Sequence, residues 1–340
     1  MRGGDKKRVF GGLDLGGTKI QAVLLDEQGN VLSQARRVTP QKGGPPAILE
    51  ELFGTLQEAA RMVKLKPSEL AGVGVGAPGA VDPVAGVLLH AGNLPGWDAP
   101  HPLAEVLSKK LNVPVFLGND VQVAVAADAR LGAGRPYQSL LGVWWGTGVG
   151  GGIYLAGRRW MGRGAAGEIG HMVVRRGGAR CSCGRRGCME AYAGRAAMER
   201  RARKAAERGE KTKLFSLMEK HGKDRLSSGI WLQALKQEDG LAERLIARAI
   251  RMLGAGVASA VNLLDVEAVI IGGGLGTRLG QPYVERIAEA MRPHLFVPQR
   301  PPDVRLSELG DLGGAIGAAL LAQPSREGRS EARGSTRAHP

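Results

Sequence analysis

All three cysteines of the 340-residue chain fall within eight positions, in the run Cys181-Ser182-Cys183-Gly184-Arg185-Arg186-Gly187-Cys188, and His171 stands ten residues before the first of them. Zinc favours a closed tetrahedron of soft ligands, and three thiolates with one imidazole complete it without an open position for water. The pattern predicts a structural Zn2+ site at His171, Cys181, Cys183 and Cys188. In a reducing compartment such a cluster favours metal ligation over disulfides. Three unrelated buried thiols are the alternative, and the gathering of every cysteine beside glycine turns speaks against it.

A second chemistry is written in glycine. Asp14-Leu15-Gly16-Gly17-Thr18-Lys19 puts a carboxylate, and then a tight donor-rich turn, at the end of an apolar run. Glycines let successive backbone N–H groups converge on phosphate oxygens, Thr18 adds a hydroxyl, and Asp14 is placed to hold Mg2+ through water. A β-hairpin also needs glycine, so this turn alone leaves both readings open. Two further clusters at strand ends, Gly146-Thr147-Gly148-Val149-Gly150 and Gly272-Gly273-Gly274, are what a nucleotide clamped between two lobes requires.

Gly118-Asn119-Asp120 follows the apolar run Val113–Leu117 and precedes a helical pattern from about Val121. At such a strand end Asp120 can accept the proton of an attacking hydroxyl. Capping the following helix is the competing role. Glu168-Ile169-Gly170-His171 and Glu190 bracket the cysteines, so a zinc-ordered loop would hold two carboxylates and an imidazole edge toward a polyhydroxylated ligand.

The elements that position these groups follow from hydrophobic period. Val9–Asp26 reads as strand, turn and strand, with a third strand at Val31–Val38. Ile48, Leu52, Leu56 and Ala59 mark a helix over about Pro46 to Lys64, followed by a buried strand at Gly72–Gly76. A second strand–turn–strand spans Leu140–Leu155, so a glycine-threonine hairpin opens each half as a weak internal repeat. One face of a long helix runs from Leu241 to Val261 into a strand at Ala268–Ile271, and a last helix lies near Gly313–Leu321. From Gln323 onward there is no aromatic and no Val, Leu, Ile or Met, which predicts a disordered tail over 323–340.

The length suits two packed lobes, since single cores stop growing near ~250–300 residues. No uninterrupted apolar run reaches the ~20 residues that span a bilayer, and the opening MRGGDKKRVF lacks the apolar centre of a signal peptide, so a cytoplasmic protein without a membrane partner is expected. A formal net charge of +15 invites a nucleic-acid partner. No helix-turn-helix or RNA-binding pattern accompanies that charge, and a solvated basic surface is the plainer account. The loop residues Arg175, Arg176, Arg180, Arg185 and Arg186 keep a polyphosphate donor in view.

Together these motifs resemble the ROK family, a group of sugar kinases and sugar-responsive repressors within the actin-like ATPase superfamily. The resemblance runs from about Val9 to Leu320 through LDLGGTKI, GVGAPGAVD, NLPGW, GND, GTGVGGG, GEIGH, CSCGRRGCME and IIGGGLG. It implies an α/β, two-lobed, actin-like (ribonuclease H-like) fold with a duplicated mixed β-sheet core and an interlobe cleft. The implied activity is ATP-dependent phosphorylation of a hexose, glucose first, with N-acetylmannosamine, N-acetylglucosamine, fructose or allose as alternatives. It implies that Gly16, Gly17, Thr18, Lys19, Gly146, Thr147 and Gly148 contact the nucleotide phosphates, and that Gly272, Gly273 and Gly274 lie near the adenosine. Asp120 matches the catalytic base, and Gly79, Asn93, Asn119, Asp120, Glu168, His171 and Glu190 would surround the sugar. His171 would serve zinc and a sugar hydroxyl through its two ring nitrogens. A homodimer is likewise implied.

The expected organisation is an extension over 1–8, a smaller lobe over 9–120 onto which the helix near 313–322 packs back, a larger lobe over 121–312 with the zinc loop 171–190, and the tail. Repressors of the family carry an N-terminal winged helix-turn-helix, for which eight residues before the first strand leave no room. Two departures from the family pattern are Gln122 and Asp128 after the candidate base, and the pair Trp144-Trp145 before the second turn.

Overall fold

The computed structural model describes residues 8–92 and 94–324. Residues 1–7 of the expected extension, Asn93, and the part of the expected disordered tail over 325–340 lie outside the described residues.

The described residues up to Ala127, together with those from Leu312 to Pro324, form one compact unit, and Asp128–Asp311 forms a second. The first contains β1 (Phe10–Leu15), β2 (Lys19–Leu25), β3 (Val31–Val38), α1 (Gly44–Met62), β4 (Gly72–Ala77), the small pair β5 (Ala80–Asp82) and β6 (Val87–His90), α2 (Leu103–Leu111), β7 (Val115–Asn119) and the start of α3 (Asp120–Leu131). The second contains β8 (Leu140–Trp145), β9 (Val149–Leu155), β10 (Arg158–Trp160), α4 (Glu190–Ala193), α5 (Arg195–Glu207), α6 (Leu214–Lys220), α7 (Ser228–Lys236), α8 (Gly240–Leu264), β11 (Ala268–Gly272), α9 (Gly273–Leu279), α10 (Gln281–Met291) and β12 (Asp303–Leu306). The chain then returns to the first unit as α11 (Gly313–Ala322).

The two main sheets are copies of one design. Their orders are β3-β2-β1-β4-β7 and β10-β9-β8-β11-β12. In each, three strands run as an antiparallel meander and two more add in parallel beside its first strand. The glycine-threonine turn joins the first two strands of each copy, at Gly16–Thr18 and at Gly146–Gly148. This duplicated mixed sheet is the two-lobed actin-like fold.

Local chemistry accounts for the element ends. Pro45 and Pro46 sit in the first turn of α1, where a missing N–H costs no intrahelical bond. The helix buries Ile48, Leu49, Leu52, Leu56, Ala59 and Ala60 against the first sheet's core. By length and composition α8 passes for a membrane span, yet 61% of its apolar window is buried. Its Leu245, Ile246, Ala249, Leu253 and Val257 belong to the core of the second unit.

Glycine also sets how closely α11 lies on the first sheet. Gly12 and Gly74 are cross-strand partners. A Cβ on Gly12 would stand 2.0 Å from the Ala315 carbonyl oxygen, and one on Gly74 would stand 1.8 Å from that of Ala318. Both obstacles are helix backbone and cannot swing aside. Gly74→Ala is therefore expected to destabilise the protein by about 3 kcal/mol or more, read as a lowered urea midpoint. Gly229→Ala in α7 meets nothing nearer than Ser227 Oγ at 3.8 Å. The same change there is expected to stabilise by up to about 1 kcal/mol through helix propensity.

Candidate functional site

In the first unit, the turn between β1 and β2 closes with Gly16 N donating to Lys19 O at 2.9 Å. Its carbonyls are engaged from outside: Thr39 Oγ1 donates to Gly16 O at 2.6 Å and Gln41 Nε2 to Gly17 O at 3.0 Å. The amides of Gly17 and Thr18 take no partner among the described residues. Such an arrangement presents donors and withdraws acceptors, which suits an anion. Lys19 Nζ donates to Gln21 Oε1 at 3.3 Å. Asp14 is half-buried at the end of β1, and a Cβ on Gly314 would come within 2.7 Å of its carboxyl carbon. Only glycine lets the first turn of α11 approach this carboxylate, whose charge complements the helix N-terminus.

Asp120 is the first residue of α3, directly after β7, and is half-buried. The capping role falls to its neighbour: Asn119 Oδ1 accepts from Val121 N and Gln122 N, both at 3.1 Å. Asp120 Oδ1 accepts from Val121 N at 2.8 Å. Asn119 Nδ2 donates to Gly79 O at 3.2 Å, so these two residues, expected at the sugar, are joined to each other. Gly79 has φ of 83°, and a Cβ there would lie 2.1 Å from His90 O. No other residue fits that position without moving the backbone.

In the second unit, the turn at Gly146–Gly148 meets the third glycine cluster. A Cβ on Gly146 would lie 3.7 Å from Gly274 N. The Trp144 side chain and the backbone at 145 account for two of the cluster's glycines. Trp144 lies over Gly272, where a Cβ would stand 2.8 Å from its indole, and the Trp145 backbone crowds Gly273, whose φ is 81°. Trp145 is fully buried and its Nε1 donates to Ala193 O at 2.7 Å. The Trp144 indole thus fills the space that Gly272 leaves open, whereas Gly273 answers to backbone that any residue at 145 would present.

The loop Glu168–His171 is pressed onto β9 by Gly170, whose Cβ would lie 1.9 Å from Val149 O. His171 directs Nδ1 to Cys181 Sγ at 3.7 Å and Nε2 toward Glu168 Oε2 at 3.9 Å. Cys183 Sγ and Cys188 Sγ are 3.7 Å apart, and the four donor atoms all lie within 4.8 Å of one another. Zinc–sulfur bonds of ~2.3 Å at tetrahedral angles put two sulfurs ~3.8 Å apart. The charges fit a dication as well. The Arg185 backbone amide holds the Cys183 thiol down at about 6, whereas burial pushes Cys181 up and Cys188 up to about 12. Three crowded thiols do not all ionise readily unaided, and a bound Zn2+ would supply the missing positive charge. The residues present therefore fit zinc held by His171, Cys181, Cys183 and Cys188.

Glu190 begins α4 and connects the two features. Its Oε1 accepts from Ser182 Oγ at 3.0 Å and lies 3.7 Å from Cys181 Sγ, which can donate to it only as the neutral thiol of the metal-free loop. Its Oε2 accepts from Val149 N at 3.0 Å, and a Cβ on Gly148 would lie 2.3 Å from that oxygen. The carboxylate thus spans from the cysteine loop to the second glycine turn. Sequence reading found Glu190 but not this connection, nor Ser182 and Gly314, which carry no local signal.

The ROK family model matches residues 10–325. A glucokinase of Thermotoga maritima is 31% identical over 314 residues, covering 91% of this chain and 96% of that protein. Among solved structures, a ROK hexokinase from Thermus thermophilus superposes with a TM-score of 0.77 at 34% identity, covering 95% of this chain and 99% of that one. A ROK family glucokinase from Streptomyces griseus in complex with glucose and AMPPNP gives a TM-score of 0.78 at 31% identity, covering 92% and 98%. With its glycine turns, its Asn119-Asp120 strand end and its cysteine loop set in a duplicated sheet, the chain belongs to the ROK family.

Proposed function

We propose that the protein is an ATP-dependent sugar kinase that phosphorylates the 6-hydroxyl of a hexose, with glucose as its preferred substrate. The observation that carries this reading is the pair of glycine-threonine turns at the same place in two sheets of the same order, the first of them with the Gly17 and Thr18 amides left without a partner among the described residues, as suits a phosphate. The glucokinases and the hexokinase that the chain resembles support it.

In this reading Asp120 accepts the proton from the sugar hydroxyl as the hydroxyl oxygen attacks the γ-phosphorus and the bond to the ADP leaving oxygen breaks. The N–H groups of the turns at Gly16–Thr18 and Gly146–Gly148 orient the phosphates, and Gly272–Gly274 border the adenosine. Mg2+, held through water by Asp14, would neutralise phosphate charge. Glu168, His171 and Glu190 bind sugar hydroxyls together with Gly79, Asn93 and Asn119. His171 would hold zinc through Nδ1, the nitrogen beside Cys181 Sγ, and keep Nε2 for a hydroxyl. Bound by His171, Cys181, Cys183 and Cys188, zinc would supply a cross-link that orders this loop, outside the transfer itself. A cytoplasmic homodimer completes the proposal.

A coupled assay over hexoses and N-acetylhexosamines, with ATP and polyphosphate as donors, tests it. Glucose with ATP is expected to exceed N-acetylglucosamine by about tenfold or more in kcat/KM, since a pocket shaped for a hydroxyl excludes the bulkier acetamide. Absence of sugar phosphate with every acceptor would sink the kinase reading. A faster acetamido sugar would overturn only the substrate.

A further inference from the structure

The second glycine turn is held by a residue that none of the motifs includes. Arg195, the first residue of α5, donates its backbone N–H to Gly146 O at 3.0 Å, and the next amide, Ala196 N, donates to Thr147 O at 3.0 Å. The side chain of Arg195 reaches the same turn: Nη2 donates to Thr147 Oγ1 at 2.7 Å while Nη1 donates to Leu226 O at 2.7 Å. Its Nε is buried without a partner among the described residues. The nearby carboxylate of Glu199 is occupied by Arg203 and Arg225, and Arg195 forms no ion pair among the described residues.

The direction of the bond to Thr147 has a consequence. A guanidinium donates and never accepts, whereas a threonine hydroxyl has one proton and two lone pairs. With one lone pair fixed by Arg195, the hydroxyl proton must point elsewhere, and Thr147 is exposed on the open side of the turn. We infer that Arg195 is a positioning residue that sets the Thr147 hydroxyl as a hydrogen-bond donor directed at a phosphate group of the nucleotide, with its own positive charge behind the turn. The inference rests on the reading of Gly146–Gly148 as a phosphate turn. It adds a residue whose own side chain need not touch the nucleotide.

A double-mutant cycle on ATP affinity, measured by calorimetry without sugar, separates this role from mere bracing of α5. Arg195→Met is expected to weaken ATP binding by about tenfold, in keeping with a charge-assisted hydrogen bond. Thr147→Val should weaken it by a similar factor, and the double variant should fall near the weaker single rather than at the product of the two. Thr147→Ser should keep parental affinity, and sugar affinity should stay within about twofold throughout, because the guanidinium acts on the turn alone. Should Arg195→Met fail to fold, Arg195→Lys serves in its place, with an expected loss of about threefold because it keeps the charge but not the fork.

Multiplying losses in the double variant, an unchanged ATP affinity on replacing Arg195, or an equal fall in sugar affinity would each overturn the inference. If Thr147→Val leaves ATP affinity untouched, the phosphate-turn reading itself fails. If Thr147→Val weakens ATP and the Arg195 variants do not, only the role of Arg195 fails.

Discussion

Asp120→Asn is expected to lower kcat by about 100-fold or more, with the dissociation constant for sugar changed by less than about threefold, because a positioned base contributes ~10²–10⁴ to proton transfer. The geometry makes this substitution a clean one. Asn119, not Asp120, caps α3, so the helix start keeps its cap in the variant. The bond from Val121 N to Asp120 Oδ1 also survives, since an amide oxygen accepts as a carboxylate does. What disappears is the negative charge and the capacity to take a proton. Steady-state kinetics with sugar binding measured separately checks it, and a variant that turns over at the parental rate would show that another group receives the proton.

Removal of the metal is expected to produce the second large effect. Cys188→Ser should abolish zinc content, from one per chain to none, and weaken sugar binding by about tenfold or more, as loss of a structural zinc ligand releases binding energy on the order of ~10 kcal/mol from the local fold. Cys188 is fully buried, pairs with Val173 across a short antiparallel bridge, and is followed by Met189, whose N–H donates to Met172 O. The ligand thus stitches the segment after His171 to the start of α4. Glu190, two residues on, depends on Ser182 of the cysteine loop for one oxygen and on Val149 for the other. Freed from the cysteine loop, that carboxylate keeps only the bond from Val149. The main sheets lie outside the loop, so far-UV circular dichroism should change little. Metal analysis and sugar titration of the chelated parent give the matching comparison, and parental sugar affinity in a zinc-free protein would refute the ordering role.

Much of this protein is decided by its sequence alone. Strands β1 to β4, the helix α1, the long helix α8 and the strand β11 announce themselves through hydrophobic period and glycine punctuation, and their observed bounds lie within three residues of that reading. The four side chains that could hold a metal, which the structure brings together, are likewise legible, because ligand chemistry restricts such groups to a few residue types at short spacing. Tertiary structure alone decides how such pieces meet. It makes Asn119 the cap of α3, lays Trp144 over Gly272, gives Gly12 and Gly74 to the backbone of α11, and sets Arg195 against Thr147. It also shows that two hairpins with only a weak sequence likeness open sheets of identical strand order. The physical reason is one of range. Backbone propensity and ligand chemistry act between neighbours in the chain, whereas close packing and hydrogen-bond satisfaction act between groups that become neighbours only once the chain has folded.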